Sequence, residues 1–490
     1  MSISGSLSNA LSGLGTTGRL AEVASNNLAN ALTKGYARQN VEIGSRELSG
    51  RGVGSRVLGV TRTSAPDLTA SRRLADGDAA ALEPQAEALA RLGAAFGEAT
   101  GEDGLFRRLE RFESSLRGLS DTPESEPRQI EVVQAAKDIA SFLNSLSDQV
   151  SVERQNADRL IASQVDVVNR NVEQIDDLNE KITRLAAGGR DVATLIDQRE
   201  LLIDEVAAIL PVRALPQSNG KVFLTTTQGQ FLLAEEPVVL EFTPTPVITA
   251  DMIYDPAGGG ALSGVTLAGL DLTPGATGAQ VLTSGALFGN LQVRDGIALD
   301  MNSQIDQFAA DLIQRFEDPA VDSTLAPGDP GLFTDNGAAF DPTVPEGLAR
   351  RLEVNAAVDP EQGGEASRLR DGINSVGPGP EFSSVLPVAF LNALEAPVAS
   401  GITGVSGSLS SFQMVAGIAE FTGKLRDRAE ISASSLISTR ESLAANEARL
   451  IGVNQDAELQ SLIQIEQAFA ANIQVIQTAA RMLDELTEIR

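Results

Sequence analysis

Apolar residues recur at alternating spacings of three and four at both extremities of this 490-residue chain. Near the start, Ile3, Leu7, Leu11, Leu14, Gly18, Ala21, Ser25, Leu28 and Leu32 form a heptad-like stripe, which predicts an amphipathic helix over 1–32. Near the end, Leu459, Leu462, Glu466, Phe469, Ile473, Ile476, Ala480 and Leu483 follow the same alternation. The segment 456–489 holds no Gly or Pro, so it predicts a helix roughly 50 Å long. The first stripe is thin. Small residues fill several of its positions, and Gly5, Gly13, Gly15 and Gly18 each weaken a helix by ~1 kcal/mol relative to Ala. Residues 1–75 carry nine basic and four acidic side chains, a net of +5 in a chain of net −28. The last helix carries Asp456, Glu458, Glu466, Asp484, Glu485 and Glu488 against Arg481 and Arg490. Matching seams and opposite charge predict that the two ends pair as a coiled coil. Two ordinary surface helices on a shared core would satisfy the periodicity equally.

Between the ends the pattern changes several times. Residues 36–63 alternate polar and apolar around Gly50, Gly52 and Gly54, which predicts two short strands and a glycine-rich turn. Residues 66–150 read as helical, with breaks near Gly101–Gly104 and Thr122–Pro127. Residues 151–187 form the strongest internal helix, and Gly188-Gly189 ends it. A further helix over 191–210 stops at Pro211. The stretch 212–283 is Thr-rich and β-branched, and Asn219-Gly220 resembles a two-residue hairpin turn. Helix resumes over 284–317, residues 318–400 read as irregular or short-stranded, and 408–450 is helical again. The fold class expected is therefore multidomain and mainly α, with an inserted β domain and nested ends. Residues 1–36 and 451–490 would form a terminal coiled-coil domain. Residues 37–211 and 284–450 would form a long-helix bundle with a short β-hairpin and the irregular 318–400 segment. Residues 212–283 would be the central β-rich domain.

Composition narrows the chemistry. The chain has no Cys, His or Trp, which removes thiol nucleophiles, imidazole bases and soft-metal sites. No enzyme activity and no cofactor is expected. A net charge of −28 repels phosphate backbones, so nucleic acid is not an expected partner. No apolar run approaches the ~20 residues that span a bilayer, so no membrane span is expected either. The N-terminus lacks the basic start and compact apolar core of a cleaved signal peptide. Gly50-x-Gly52-x-Gly54 lacks the Lys-Ser/Thr and helix start of a phosphate loop and reads as a turn. Asp329, Asp335 and Asn336 do not have EF-hand spacing and read as an Asp-rich loop rather than a Ca²⁺ site. Asp176-Asp177 and Asp204-Glu205 read as solvated charges on amphipathic helices, and Arg72-Arg73 and Arg107-Arg108 as isolated pairs.

The most informative stretch is Ser25-Asn26-Asn27-Leu28-Ala29-Asn30-Ala31-Leu32-Thr33-Lys34-Gly35-Tyr36-Ala37-Arg38-Gln39. Asn at the end of an apolar stripe can cap a helix or bond across it, and Gly35 can supply φ > 0 for a sharp turn into a strand. The stretch resembles the N-terminal signature of the flagellar axial proteins through Asn26, Asn27, Ala29, Asn30, Thr33, Gly35, Tyr36, Arg38 and Gln39. Leu32 departs from it most, since the family places Asn there. Gly52–Arg62, the helical pattern from Gly104 to Ala140, Leu195–Glu205 and Gly452–Leu459 are similar to segments of the hook-associated protein 1 family within that group. That resemblance implies a structural protein that self-assembles at the hook–filament junction of the bacterial flagellum. It implies a homo-oligomer in a helical or tubular array, with hook protein and neighbouring junction or filament proteins as partners. It also implies an export chaperone, and type III flagellar export to the cell exterior without signal cleavage. Assembly residues carried over are Asn26, Asn27, Asn30, Thr33, Gly35, Tyr36, Arg38 and Gln39. The expected coiled-coil seam is Leu7, Leu11, Leu14, Leu28, Leu459, Leu462, Phe469, Ile473, Ile476 and Leu483. Hook protein or another axial protein is the alternative within the group. A secreted adhesin or scaffold, or a wall-remodelling enzyme, is the alternative outside it.

Overall fold

The first stripe folds as one helix, α1 (Ile3–Ala29), in a computed structural model that describes residues 3–48, 51–97 and 103–488. Two antiparallel strands follow, β1 (Gln39–Leu48) and β2 (Arg51–Arg62), with bulges between Glu42 and Ile43 and between Ser45 and Glu47. Gly50 of the expected turn, and Gly101 of the expected helix break, lie outside the described residues. Helices α2 (Pro66–Phe96) and α3 (Leu105–Asp121) lead into α4 (Glu126–Ala187). The sequence suggested a separate helix over 151–187. The structure instead runs 62 residues without a break, roughly 90 Å. No Gly or Pro interrupts it after Pro127, which sits harmlessly in the first turn. α5 (Ala193–Ile209) ends before Pro211 as expected.

The antiparallel sheet β3 (Val212–Pro216), β4 (Val222–Thr226) and β5 (Phe231–Leu233) comes next. Its first hairpin closes at Pro216 opposite Val222. The connection is therefore the five residues 217–221 rather than a two-residue turn. Gln217 N–H bonds Lys221 O at 2.8 Å, and Gly220 N–H bonds Gln217 O at 3.0 Å. A second small sheet holds β6 (Leu240–Glu241), β7 (Thr266–Leu267) and β8 (Leu270–Asp271). α6 (Ala286–Gln292) and α7 (Ala298–Phe316) are joined by a π-helical turn at Val293–Ile297. The remainder holds β9 (Phe333–Asp335), α8 (Leu348–Arg351), β10 (Leu352–Val354), α9 (Arg368–Asp371), α10 (Val385–Glu395), β11 (Val398–Ala399) and β12 (Ser408–Leu409). α11 (Ser411–Ile451) and α12 (Gln455–Glu488) close the chain. The fold is thus mainly helical with small antiparallel sheets. No helix among the described residues is long and apolar enough to cross a membrane.

Residues cluster into two units. One comprises 1–79, 166–240 and 436–490, the other 80–165 and 241–435. The division falls inside α2, α4 and α11, and it parts the 212–283 stretch at 240/241. The second unit holds the large apolar core. Leu105, Leu109, Phe112, Leu116 and Leu119 recur on α3 at spacings of three and four and are all buried. They meet Ile139 and Leu143 of α4, Phe308 and Phe316 of α7, and Phe390 of α10. Phe316 lies 5.9 Å from Phe112, 5.4 Å from Phe333 and 5.1 Å from Phe390, the tilted and edge-on packing that aromatic quadrupoles favour.

The 318–400 stretch has little regular structure, yet it is firmly packed, because carboxylates replace the missing ladder partners. Asp322 accepts from Thr324 N–H and Ile373 N–H, and Asp306 from Gly347 N–H and Ala349 N–H. Asp329 accepts from Ala326 N–H, and Asp335 pairs with Arg351. Asn336, at φ 49°, forms the turn after β9.

Candidate functional site

The signature residues build the joint between the first helix and the first strand. Asn27 is the centre of it and is buried. Its amide donates to Gln39 O at 2.9 Å, and its carbonyl accepts from Gln39 N–H at 3.0 Å. The side chain thus mimics a strand partner and sets where β1 begins. Tyr36 donates its hydroxyl to the same Asn27 oxygen at 2.8 Å. Burial, followed by the carboxylates of Asp197, Glu458 and Asp191, pushes the Tyr36 phenol up to about 12, so it stays a donor. Asn30 donates to Asn26 O at 3.0 Å and accepts from Thr33 Oγ1 at 3.2 Å, which winds down the helix end. Gly35, at φ 79°, turns the chain toward the strand as the sequence required. Leu32, the departure from the signature, is almost wholly exposed, 93%.

Arg38 fastens this joint to the other end of the chain. Its N–H bonds Ile451 O at 2.8 Å, at the end of α11. Its guanidinium bonds the buried Glu458 of α12 at 2.7 Å. Asn454 caps α12 by accepting from Ala457 N–H at 3.1 Å. Beyond that, α1 and α12 pack together, and antiparallel: Gly13 lies against Asn472, while Ile3 and Ser6 line one groove with Ala479 and Met482.

Burial on α12 follows Glu458, Ile465 and Ala479, with Asn472 half-buried between them, one residue ahead of the line Leu459, Glu466, Ile473 and Ala480 seen in the sequence. On α1 the buried positions are Ala10, Thr16, Thr17, Val23, Ala24 and Asn27. Of the expected seam, Leu7, Leu14, Leu28, Leu462, Ile473 and Ile476 are half-buried. Leu11, Leu459, Phe469 and Leu483 are exposed and do not close the seam within the subunit. The reason is steric. Small residues let the two backbones approach, and the long side chains flank the contact rather than fill it.

α1 has a second neighbour in β2. Ser55 N–H bonds Ser12 Oγ at 3.2 Å, and its hydroxyl lies 2.9 Å from Thr16 Oγ1. Gly54 combines φ 112° with an approach in which any Cβ would fall 1.9 Å from Ser12 Oγ. Only Gly fits there.

Charges that the sequence offered as solvated or isolated form a polar knot around α5. Asp197 pairs with Arg62 of β2 at 2.6 Å. Burial raises the Asp197 pKa, against the opposing pull of Arg62. Arg199 donates to Asn179 of α4 at 3.0 Å and to Gly220 O at 2.8 Å. Arg73 pairs with Glu200 and Asp204, both at 2.7 Å. Arg72 pairs with Asp76 at 2.5 Å, with Asp204 at 2.8 Å and with Glu447 of α11. Burial acts to lower the Arg72 pKa, but those carboxylates outweigh it and hold the guanidinium above its usual range. Glu205 accepts from Asn171 of α4 at 3.0 Å. These partners lie up to 375 positions apart, so no local pattern announced them. The arrangement binds elements to one another and has the character of a joint rather than of a cleft.

Residues 89–331 match the family described as the flagellar hook-associated protein FlgK helical domain. Residues 451–489 match the flagellar basal body rod FlgEFG protein C-terminal family. Flagellar hook-associated protein 1 of Bacillus subtilis (strain 168) is 23% identical over 94% of this chain and 93% of its own length. The protein of the same name from Escherichia coli (strain K12) is 23% identical over 99% of each chain. That from Salmonella typhimurium is 24% identical, again over 99% of each. The solved structure of the flagellar hook junction protein FlgK from Burkholderia pseudomallei overlays 55% of this chain and 47% of its own, at 22% identity and a TM-score of 0.44.

Proposed function

We infer that this chain, which is of the flagellar hook-associated protein family, is a structural component of the bacterial flagellum that assembles at the hook–filament junction and connects hook to filament. The match of the long helical block favours the junction protein over hook protein. The observation that carries the mechanical reading is the state of the terminal helices. α1 and α12 pair with each other, yet Leu11, Leu459, Ile463, Phe469, Val475, Met482 and Leu483 remain exposed. Apolar exposure of that extent, on a chain of net charge −28, calls for cover by other subunits.

The finer reading is a homo-oligomer in a tubular array, with residues 1–36 and 451–490 as its assembling domain and hook protein and filament-side junction proteins as neighbours. Its role is mechanical rather than enzymatic. The chain travels by the flagellar type III route, with an export chaperone covering the terminal helices beforehand, and it acts outside the cell. Deletion of the gene tests the core of this. Cells without the chain should complete hooks but release filament subunits into the medium, and the full chain should restore filaments. Normal filaments in the deletion strain would sink the proposal. Mass spectrometry of the chain in isolated flagella tests the route, with an unprocessed N-terminus expected.

A further inference from the structure

The positive excess of residues 1–75 is only partly consumed inside the subunit. Arg19, Arg38, Arg62, Arg72 and Arg73 all have carboxylate partners. Arg46 and Arg56 are exposed on the β1–β2 ribbon, and neither has a carboxylate partner among the described residues. Ser55 faces α1 through its bonds to Ser12 and Thr16, so the adjacent Arg56 projects from the opposite face of the ribbon. Gly44 lies opposite Arg56 in the register. Its missing side chain lets Leu58 lie across the ribbon, with a methyl carbon 3.1 Å from where a Cβ would stand. Leu58 is itself 56% exposed. The outer face of the ribbon is therefore an aliphatic side chain beside exposed guanidinium groups.

The first half of α12 shows the complementary surface. Asp456, Leu459, Ile463 and Glu466 follow one another at spacings of three, four and three, all exposed. They lie away from Glu458 and Ile465, the line that is buried toward the rest of the subunit. Neither Asp456 nor Glu466 has a basic partner among the described residues. Two exposed aliphatic residues are thus flanked by two unpaired carboxylates.

We propose that the outer face of the β1–β2 ribbon, through Arg46, Arg56 and Leu58, docks the Asp456–Glu466 stripe of α12 in a second copy of this chain. The proposal rests on the self-assembly put forward above. Both patches belong to every subunit and differ from each other, so the contact is head-to-tail and propagates, as an array requires. Charge complementarity fixes its register and rejects the like-charged alternatives, ribbon on ribbon and stripe on stripe.

The absence of Cys from the chain gives a clean test. An R56C/E466C double variant carries only the two introduced thiols. A short bismaleimide applied to isolated flagella should join it into a ladder of dimers and higher species, whereas R56C or E466C alone should give no ladder. The same reagent should leave dilute monomer uncrosslinked. No ladder from flagella that contain the double variant, or a crosslink within the monomer, would overturn the docking while leaving junction assembly intact. Absence of the wild-type chain from flagella would overturn both. In parallel, R46E/R56E should lose filaments while keeping the wild-type melting temperature, and E466R in the same chain should restore them. Filaments unaffected by R46E/R56E, or not restored by E466R, would also overturn it.

Discussion

Asn27 illustrates how a single polar side chain can fix the course of a chain. It bonds both backbone groups of Gln39 and accepts the Tyr36 hydroxyl, all in a buried setting. Truncation in N27A leaves a buried N–H and a buried C=O without partners and should cost about 2–3 kcal/mol, read by chemical denaturation. Y36F removes one donor only and should cost about 1 kcal/mol. Asp306 makes a different prediction. Burial pushes its carboxyl up to about 6, against the N–H groups of Ala349 and Gly347 that favour the charged form. A folded pKa above the unfolded value means that the folded state binds the proton more tightly. The contribution of this group is then full below about pH 4 and is lost as pH rises through about 6. The stability of wild type relative to D306N should therefore fall between pH 4 and 7, as measured by denaturation at each pH. A flat difference would refute the assignment. At this scale the signature was legible in the sequence, because Asn27, Gly35, Tyr36 and Gln39 act on one another across a dozen residues. Arg62–Asp197 and Arg72–Glu447 were not, since each partner is separated from the other by more than a hundred residues.

At the level of elements, the pairing of α1 with α12 depends on small residues. An ideal Cβ on Gly13 would sit 2.8 Å from the Asn472 carbonyl oxygen. G13A should be tolerated, because the end of a side chain can swing aside and Ala adds ~1 kcal/mol of helix propensity. G13L should force the helices apart and expose both ends to protease, while α4 remains resistant. Amide exchange in the monomer should follow the same order. Among its described residues α12 buries only Glu458, Ile465 and Ala479, so its amides should exchange far faster than those of α3, with its five fully buried apolar side chains. Strong protection of α12 in the monomer would contradict this. The sequence revealed the helices and their period but not the phase of contact. Leu, Ile and Phe were the natural choice for the seam, whereas the close approach selects Gly, Ala, Thr and Asn.

The whole molecule divides its burial unevenly between two units. The core that runs from Leu92 to Ile418 takes none of the described residues of 1–79 or 436–490. Removal of residues 1–36 and 452–490 should therefore leave its cooperative thermal transition in place while abolishing incorporation into flagella. Loss of that transition would contradict the separation. The sequence by itself determined the mainly helical class, the β1–β2 ribbon, the helix stops at Gly188 and Pro211, and the resemblance to the flagellar axial proteins through its terminal joint. All of these rest on local periodicity, turn chemistry and short-range polar residues. Only the tertiary structure decided that α4 is one uninterrupted helix and that the Asp-rich 318–400 stretch is packed through its own carboxylates. It also decided that Asp204 and Glu447 share Arg72, and that Leu459, Phe469 and Leu483 of α12 are exposed. Those outcomes depend on which distant residues meet and on how closely two backbones can approach, and neither is encoded in the spacing of residues along a single segment.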